Sequence, residues 1–542
     1  MIFPRHGILF LLLAALSFSG CEEKKPRIDS VYPPIGQMGK VLTIRGEHFG
    51  DEQEESYVTV AGIAPTSSSY IMWQDKAISF TVPEFGESGL VYVYRGNRKS
   101  NAALFTNTET IPVPVTGVQA ETGPRIISIE PRSASIGSMI TIRGNNFGAF
   151  REGSAVFFAW AAEQSPSAPA ELSGPLSVPV SENDFGYESW GERELRIRVP
   201  DGAVSGNPEI RTGRGSGQGD YFEVAEKPGS KVYRDKRRYA ISYEADIRVT
   251  DASAPNTLYI VLPRPASSAS QRLGELISRK TDPFIENYRG VSLYKLNDLA
   301  SGAGEEIAVS YLVEVYAVET SVNASRIRSG RASALGTAYT QQSPLVPSDN
   351  LLVTRQVSAI VGREQNPYQK ARLIYNWLLK ETDIRTESRQ DDVLTALVQK
   401  QADPYHAALL FCALSRAAGV AALPQAGVLV DSSRATIPHY WAEFWIEGFG
   451  WIPADPALGA GAAPPAFNLR PDAASYYFGN LDNQRICFSR GETTLPQLES
   501  RGRVTARSRG YALQNIWEEA AGGLISYSSL WGDIMINGVY VQ

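Results

Sequence analysis

The chain has 542 residues, a length sufficient for about four domains of ~150 residues. Of these residues, 43% are hydrophobic and 20% are charged. These proportions are ordinary for globular proteins, and no apolar run beyond the N-terminus is long enough for a transmembrane helix. A formal net charge of -6 gives no electrostatic reason to bind a polyanion, so nucleic acid is disfavoured as a partner. We expect a soluble, multidomain body.

Residues 1–20 combine the charged Arg5 with an apolar run and small residues before Cys21, which is the pattern of an export signal. The segment resembles a bacterial lipoprotein signal, although Phe18 stands where that family prefers Leu. The resemblance implies that Cys21 is lipidated and anchors the mature chain to a membrane. The expected localisation is the cell envelope, periplasmic or surface-facing, with the outer membrane favoured. The alternative is a signal without lipidation.

Two further cysteines, Cys412 and Cys487, would lie in a compartment that permits disulfides. Two thiols in so long a chain are not a disulfide framework. One bridge is possible, but we expect two unpaired or buried thiols.

A repeat occupies the first part of the chain. Ile28–Gly50 matches Ile126–Gly148 at an offset of 98 residues, and short alternating runs between Gly and Pro turns predict an all-β sandwich in each copy. The pattern resembles the IPT/TIG immunoglobulin-like family over residues 26–107 and 123–226. Within it, we expect Gly46 and Gly144 to lie where a Cβ would clash.

Further along, matching residues are 117 apart, so the second copy carries 19 extra residues. They lie around residues 163–183, and their Ser, Pro and Ala content predicts a surface loop. Residues 111–115, IPVPV, look like a semi-extended linker. The modules are expected to act as spacers, with adhesion or ligand binding through the long insert as the alternative.

Residues 229–345 contain long runs that alternate at period two, which predict the strands of a third, larger β-sandwich. One interruption, residues 271–280, is predicted to be helical or turn-like. The arrangement resembles the β-domain that precedes the catalytic domain of many bacterial transglutaminase-like proteins, and we expect a supporting role.

After Pro347 the apolar spacing becomes helical. Two helices are predicted here, the second starting near Pro367, and a third covers residues 391–401. The helical domain spans residues 346–480, and residues 481–542 are predicted to form C-terminal strands and a last helix at residues 511–520.

The most informative motifs follow. Residues 408–419 have helical spacing, and HYWAEFWIEGFGWIPADP, residues 439–456, predicts a hairpin that brings His439 and Asp455 together. These motifs resemble the transglutaminase-like superfamily, which implies an α+β, papain-like core. In that family a Cys at a helix start is activated by the His, and the Asp orients the His. Trp441 and Trp451 match the family's motif residues.

The nucleophile is missing from this pattern. The family's spacing places it at residue 404, which is Pro404, and residues 402–411 contain no Cys, Ser or Thr. Asp403 is a favoured N-cap and Pro404 suits the first helical position, so the helix start is preserved without its reactive group.

Other residues are weaker candidates. Cys412 lies eight residues along the same helix, roughly 12 Å away, and is expected to be a buried hydrophobic residue. In the transglutaminase-like family, substrate binds in a cleft beside the catalytic residues. We predict that His406, Tyr405, His439, Trp441 and Trp451 line the corresponding cleft here, although a lone His such as His406 is more often structural. No metal site and no cofactor are predicted.

Three functions remain open. The first is a lipid-anchored envelope protein whose transglutaminase-like domain binds a peptide or cell-envelope ligand without turning it over. The second is an active transglutaminase or cysteine-hydrolase-like enzyme with an unusual nucleophile. The third is a structural envelope protein without a ligand.

Overall fold

The computed structural model describes residues 25–53, 55–83, 89–107, 123–162, 177–182, 184–225, 227–327, 332–389, 391–507 and 509–541. The predicted signal at 1–20, Cys21, the linker at 111–115 and residues 163–176 of the insert lie outside these ranges. In the part that is described, no helix is both long enough and apolar enough to cross a membrane.

The first repeat is a sandwich of two sheets, with strand orders β1-β3-β6-β5 and β2-β9-β7-β4 and with β8 paired to β7. Its strands are β1 (Arg27–Tyr32), β2 (Ile35–Gly36), β3 (Val41–Glu47), β4 (Tyr57–Val60), β5 (Tyr70–Gln74), β6 (Ala77–Thr81), β7 (Gly89–Arg95), β8 (Arg98–Lys99) and β9 (Ala103–Asn107).

The second repeat has a similar arrangement, with sheets β10-β12-β16-β15 and β14-β13-β17-β18, but its β11 and β19 form a separate short pair. Its strands are β10 (Arg125–Glu130), β11 (Ser133–Ala134), β12 (Met139–Asn145), β13 (Ala155–Ala159), β14 (Ser177–Pro179), β15 (Tyr187–Trp190), β16 (Glu194–Arg198), β17 (Glu209–Thr212), β18 (Gly215–Gln218) and β19 (Glu223–Val224).

The glycine prediction for the repeats is confirmed. A Cβ on Gly46 would lie 1.9 Å from the carbonyl oxygen of Arg27, and a Cβ on Gly144 would lie 2.0 Å from that of Arg125. In each copy the same space is closed by a buried Phe, Phe49 in the first. Only Gly fits where the two strands and this ring meet.

The insert is not entirely a surface loop. Its last residues form β14, which pairs with β13, and Val178 and Val180 are buried in the core of the repeat. In the segment SVPV the two Val residues alternate with other residues at the period of a strand, and this pattern outweighs the loop-like composition around it.

The third region is built on one very long strand. It contains β20 (Gly229–Pro263), β21 (Gln271–Arg279), β22 (Ile285–Tyr288), β23 (Val291–Asn297) and β24 (Gly304–Val322). The first half of β20 pairs with β24 and its second half with β23, so hydrogen bonding runs continuously through the strands of the predicted third sandwich. Register shifts between Val249 and Asn256, where β20 also pairs with a later strand, mark the bend between the halves.

The helical domain follows. It contains α1 (Ala334–Ala338), α2 (Leu351–Val361), α3 (Pro367–Glu381), β25 (Asp383–Ile384), α4 (Val393–Gln399), β26 (Gln401–Ala402), α5 (Pro404–Ala417), β27 (Ala422–Val430), β28 (Thr436–Ile446), β29 (Gly450–Ala454), α6 (Pro456–Gly459), α7 (Ala473–Tyr476) and β30 (Arg485–Arg490). Its sheet has the order β29-β28-β27-β30, and α5 is buried from His406 to Arg416. The predicted domain end at residue 480 is too early, because β30 completes this sheet.

The last strands return to the third region. β31 (Arg503–Thr505), β32 (Glu518–Trp531) and β33 (Met535–Val541) belong to the sheet of β20, with β32 and β33 paired to it directly. The segment 481–542 is therefore not a separate unit.

Two helix predictions are wrong. Residues 271–279 form β21 on the edge of β24, and residues 511–520 run without a helix into β32. Glu518 and Glu519 look like helix-favouring residues, but both are buried, and Glu518 accepts hydrogen bonds from Arg507, Ser529 and Trp531. Tertiary hydrogen bonds outweigh helix propensity here.

The second repeat packs directly on the sheet of the helical domain. Its buried core is continuous with Trp445 and Trp451, and a Cβ on Gly137 would lie 2.7 Å from the Trp445 ring. The second repeat thus shares a hydrophobic core with the helical domain and is not an independent spacer.

Candidate functional site

The hairpin of β28 and β29 brings His439 and Asp455 together. Ala442 pairs with Ala454, so Asp455 follows the last residue of β29 and lies beside the strand that carries His439. Nε2 of His439 is 2.8 Å from Oδ2 of Asp455. The same carboxylate caps α6 by accepting a hydrogen bond from the backbone N–H of Leu458. The pair has the geometry needed to orient an imidazole.

Asp455 has a second partner that the sequence reasoning missed. Nη1 of Arg485 donates to the Oδ2 atom that binds His439, at 2.8 Å, and Nη2 of Arg485 donates to Asp482 at 2.6 Å. Burial alone would raise the pKa of Asp455, but the charges and hydrogen bonds of His439 and Arg485 outweigh it and lower this pKa to about 2. The carboxylate therefore stays ionised. Arg485 directly precedes the apolar run ICF and lies three residues after Asp482, and this was the sequence signal for such a buried pair.

The start of α5 is as predicted, and it carries no nucleophile. Asp403 is the N-cap and its carboxylate accepts a hydrogen bond from the backbone N–H of His406 at 2.9 Å. Pro404 is the first helical residue. A thiol at this position would gain from the positive end of the helix, but Pro has no group that can attack a substrate.

His406 does not face the dyad as a free imidazole. Its Nδ1 lies 2.7 Å from Oδ1 of Asp403 and its Nε2 lies 3.0 Å from the carbonyl oxygen of Asp391, so both ring nitrogens are engaged. The side chain is completely buried. His406 therefore supports the helix start, and its assignment to the cleft wall is wrong.

Tyr405 lies on the other side of the helix start. Its ring contacts the Tyr440 ring edge-on, and the guanidinium of Arg509 lies 3.9 Å from its centre. Tyr405 is half-buried and belongs to the packing between α5, β28 and the C-terminal segment.

The predicted cleft is closed at its centre. His439 is 2% exposed, and Trp441 and Trp451 are each 1% exposed. The Arg485 guanidinium lies 4.9 Å from the centre of the Trp441 ring, and Trp451 donates a hydrogen bond to Asp184 of the second repeat. Trp441 is thus a buried packing residue, whereas Trp451 lines a cavity on the side of the second repeat and not a cleft at the His439–Asp455 pair.

Neither Cys412 nor Cys487 offers an exposed thiol. Cys412 and Cys487 are buried and unpaired, as predicted. Burial raises the pKa of the Cys412 thiol to about 12, and it also raises the pKa of Cys487. Protonated thiols of this kind are poor nucleophiles. Within the described residues, no group of three or more His, Cys, Asp or Glu side chains could hold a metal ion.

Comparison with known families supports the two main predictions. Residues 354–456 match the transglutaminase-like superfamily, and residues 26–109 and 124–161 match the IPT/TIG domain. An uncharacterised protein of Haemophilus influenzae is 26% identical over 189 residues, covering 28% of this chain and 49% of the relative. The chain thus spans about half the length of that curated relative.

Solved structures show weaker likenesses. A putative cysteine protease from Cytophaga hutchinsonii is 12% identical, with 58% of this chain and 93% of the other covered and a TM-score of 0.36. The periplasmic domain of TgpA from Pseudomonas aeruginosa is 13% identical, with 41% and 87% covered and a TM-score of 0.25. These TM-scores are too low to support a conclusion about activity.

The match over residues 354–456 agrees with the hairpin, the dyad and the buried helix described above. The chain is therefore a multidomain protein in which β-rich IPT/TIG domains precede a transglutaminase-like core.

Proposed function

We propose that this protein is a lipid-anchored protein of the cell envelope whose transglutaminase-like domain binds a peptide or cell-envelope ligand without catalysis. The anchor rests on the sequence of residues 1–20 and on Cys21. The binding role rests on the family scaffold, which is preserved while its reactive group is lost.

The observation that carries the absence of catalysis is the combination at α5. Pro404 occupies the position of the nucleophile, and the His439 that would activate it is 2% exposed. The Asp455 carboxylate also accepts a hydrogen bond from Arg485, a cation that it shares with Asp482. Cysteine chemistry lacks both a thiolate and access for a substrate.

The purified full chain should show neither amine incorporation into a protein substrate nor peptide hydrolysis, and iodoacetamide should change neither assay. Pro404→Cys restores a thiol at the helix start, with Pro404→Ala as the matched control. Activity that appears only in Pro404→Cys would support a scaffold that lost its nucleophile. Turnover by the unaltered chain that disappears in Cys412→Ser would contradict the proposal.

The anchor is tested separately. Cells expressing the full chain should carry it in the membrane fraction, and Cys21→Ala should release it or block its processing. An unchanged membrane fraction and an unchanged mass of the mature chain in Cys21→Ala would disprove lipidation at this residue.

A further inference from the structure

A cavity of about 430 Å³ lies where the second repeat, the sheet of β20 and the transglutaminase-like core meet. Small-molecule sites in proteins commonly have volumes of roughly 300–1,000 Å³ and often lie at domain junctions. Tyr233 on β20, Asp184 of the second repeat and Glu443 of β28 all line this cavity. It is separate from the His439–Asp455 pair, since neither of those residues lines it.

One end of the cavity holds an excess of negative charge. Arg490 donates from Nε to Oε2 of Glu443 at 3.0 Å and from Nη1 to Oδ1 of Asp184 at 2.7 Å, so one guanidinium serves two carboxylates. Burial raises the pKa of Glu443 even though Arg490 opposes this effect. Lys231 beside this group is already paired with Asp201 at 2.6 Å. A further cation would complete the charge balance here.

The opposite imbalance occurs at Arg272, which also lines the cavity. Its guanidinium lies 3.9 Å from the centre of the Trp160 ring and donates to the carbonyl oxygen of Ser177. Within the described residues it forms no ion pair, and burial lowers its pKa. A half-buried guanidinium of this kind is suited to a carboxylate, which it can bind through two parallel hydrogen bonds.

Tyr233 lies between the two ends. The centre of its ring is 5.3 Å from that of Trp160, the ring on which the Arg272 guanidinium packs. Its hydroxyl has no hydrogen-bond partner among the described residues. The side chain is 1% exposed. An unpaired hydroxyl at this depth is unfavourable unless something binds it, so a ligand that accepts or donates a hydrogen bond here would be favoured.

We infer that this cavity binds a short free peptide as a zwitterion, with its carboxylate at Arg272, a peptide group at the Tyr233 hydroxyl and its ammonium at Glu443 and Asp184. This inference rests on the proposed binding function and names its site and ligand class. Such a ligand would join three domains, because its partners come from β20, β21, β28 and the second repeat.

Titration calorimetry of the full chain with trialanine, its C-terminal amide and its N-acetyl form tests each end separately. Trialanine should bind, and both blocked forms should bind about tenfold or more weakly, since each loses a charge-assisted contact. Arg272→Gln should weaken trialanine by about the same factor but should not weaken the amide further, because both changes remove one interaction.

Tyr233→Phe should weaken all three peptides by about 3- to 10-fold through the loss of one hydrogen bond. Tyr511→Phe is its matched control, since the Tyr511 hydroxyl is also buried without a partner among the described residues but does not line the cavity. Arg248→Gln, which breaks the surface ion pair with Asp246, is the control for Arg272→Gln. Both controls should bind trialanine normally.

Trialanine that binds equally to the wild type, Arg272→Gln and Tyr233→Phe would place the ligand elsewhere and overturn this inference alone. A C-terminal amide that binds as well as trialanine would overturn the carboxylate assignment. If none of the three forms binds up to millimolar concentration, the inference is wrong, while the proposed function is still decided by the turnover assays and by binding of larger envelope components. Arg272→Lys, expected to bind with intermediate affinity, replaces Arg272→Gln if that variant fails to fold.

Discussion

The transglutaminase-like core contains two buried His–Asp pairs with almost equal N···O distances, but the two pairs have different roles. Nε2 of His439 lies 2.8 Å from Asp455, and Nδ1 of His406 lies 2.7 Å from Asp403. The first pair joins a strand to the residue after the neighbouring strand. The second lies within the first turn of α5, three residues apart.

The difference lies in what the remaining atoms contact. Both ring nitrogens of His406 have hydrogen-bond partners. Of the two ring nitrogens of His439, only Nε2 has a hydrogen-bond partner among the described residues. Asp403 caps a helix, and Asp455 caps a short one while it also binds Arg485. A His–Asp distance is therefore no measure of catalytic ability. The position of a nucleophile and the free ring nitrogen decide it.

The largest expected effect comes from Arg485, which distinguishes the Asp455 pair from the Asp403 pair. Arg485→Ala leaves Asp455 and Asp482 buried without their shared cation and should lower the free energy of unfolding by about 3–5 kcal/mol. Chemical denaturation measures this. Arg238→Ala, at a partly exposed ion pair with Glu314, should lose at most about 1 kcal/mol. A loss for Arg485→Ala no larger than that control would show that Asp455 needs no cation.

The pH dependence of the free energy of unfolding should differ between the wild type and Asp455→Asn. The pKa of Asp455 falls from 3.8 to about 2 on folding, so its contribution is present above about pH 4 and is lost as the pH falls towards 2. In the wild type this contribution is about 2 kcal/mol. Asp455→Asn should remove it, so the stability difference between the two chains should shrink in acid. Asp246→Asn, at a surface pair with Arg248, should keep the wild-type profile. A constant difference between wild type and Asp455→Asn from neutral pH to pH 2 would be contrary to this result.

At the other pair, helix capping should dominate. Asp403→Ala removes the acceptor for the backbone N–H of His406 and should lower the free energy of unfolding by about 1–2 kcal/mol. Asp403→Asn keeps a capping oxygen and should lose less. Equal losses in the two variants, measured by denaturation, would show that the charge beside His406 and Arg509 matters more than the cap.

The smallest effect is expected at Pro404. Pro404→Ala should lower the free energy of unfolding by under about 1 kcal/mol, because Pro at the first helical position acts mainly by restricting the unfolded chain. Thermal unfolding of the two chains is the measurement. A loss of several kcal/mol would indicate that Pro404 is needed for packing.

Local signals explain what could be predicted. Asp403 and Pro404 mark the start of α5 because a cap and a first-turn Pro act within four residues. The turn between β28 and β29 follows from EGFG, and the hairpin then places His439 beside Asp455. The two repeats were visible because their glycines are dictated by contacts inside each copy.

Predictions failed where distant residues decide the structure. Residues 511–520 have helical composition but extend into β32, since Arg507, Ser529 and Trp531 bind Glu518. The sequence does not show that the carbonyl oxygen of Asp391 contacts the second ring nitrogen of His406, so the prediction of His406 at the cleft is wrong.

The sequence by itself determined the order of domains, the His439–Asp455 hairpin and the absence of a nucleophile at Pro404, because these depend on local periodicity and residue identity. Only the tertiary structure decided that the dyad is buried, that Arg485 binds Asp455, and that a charged cavity forms around Tyr233. These features join residues that are far apart in the chain, as with Lys231 and the carbonyl oxygen of Trp451 at 2.6 Å. Burial and charge pairing between such residues arise only after the domains have packed.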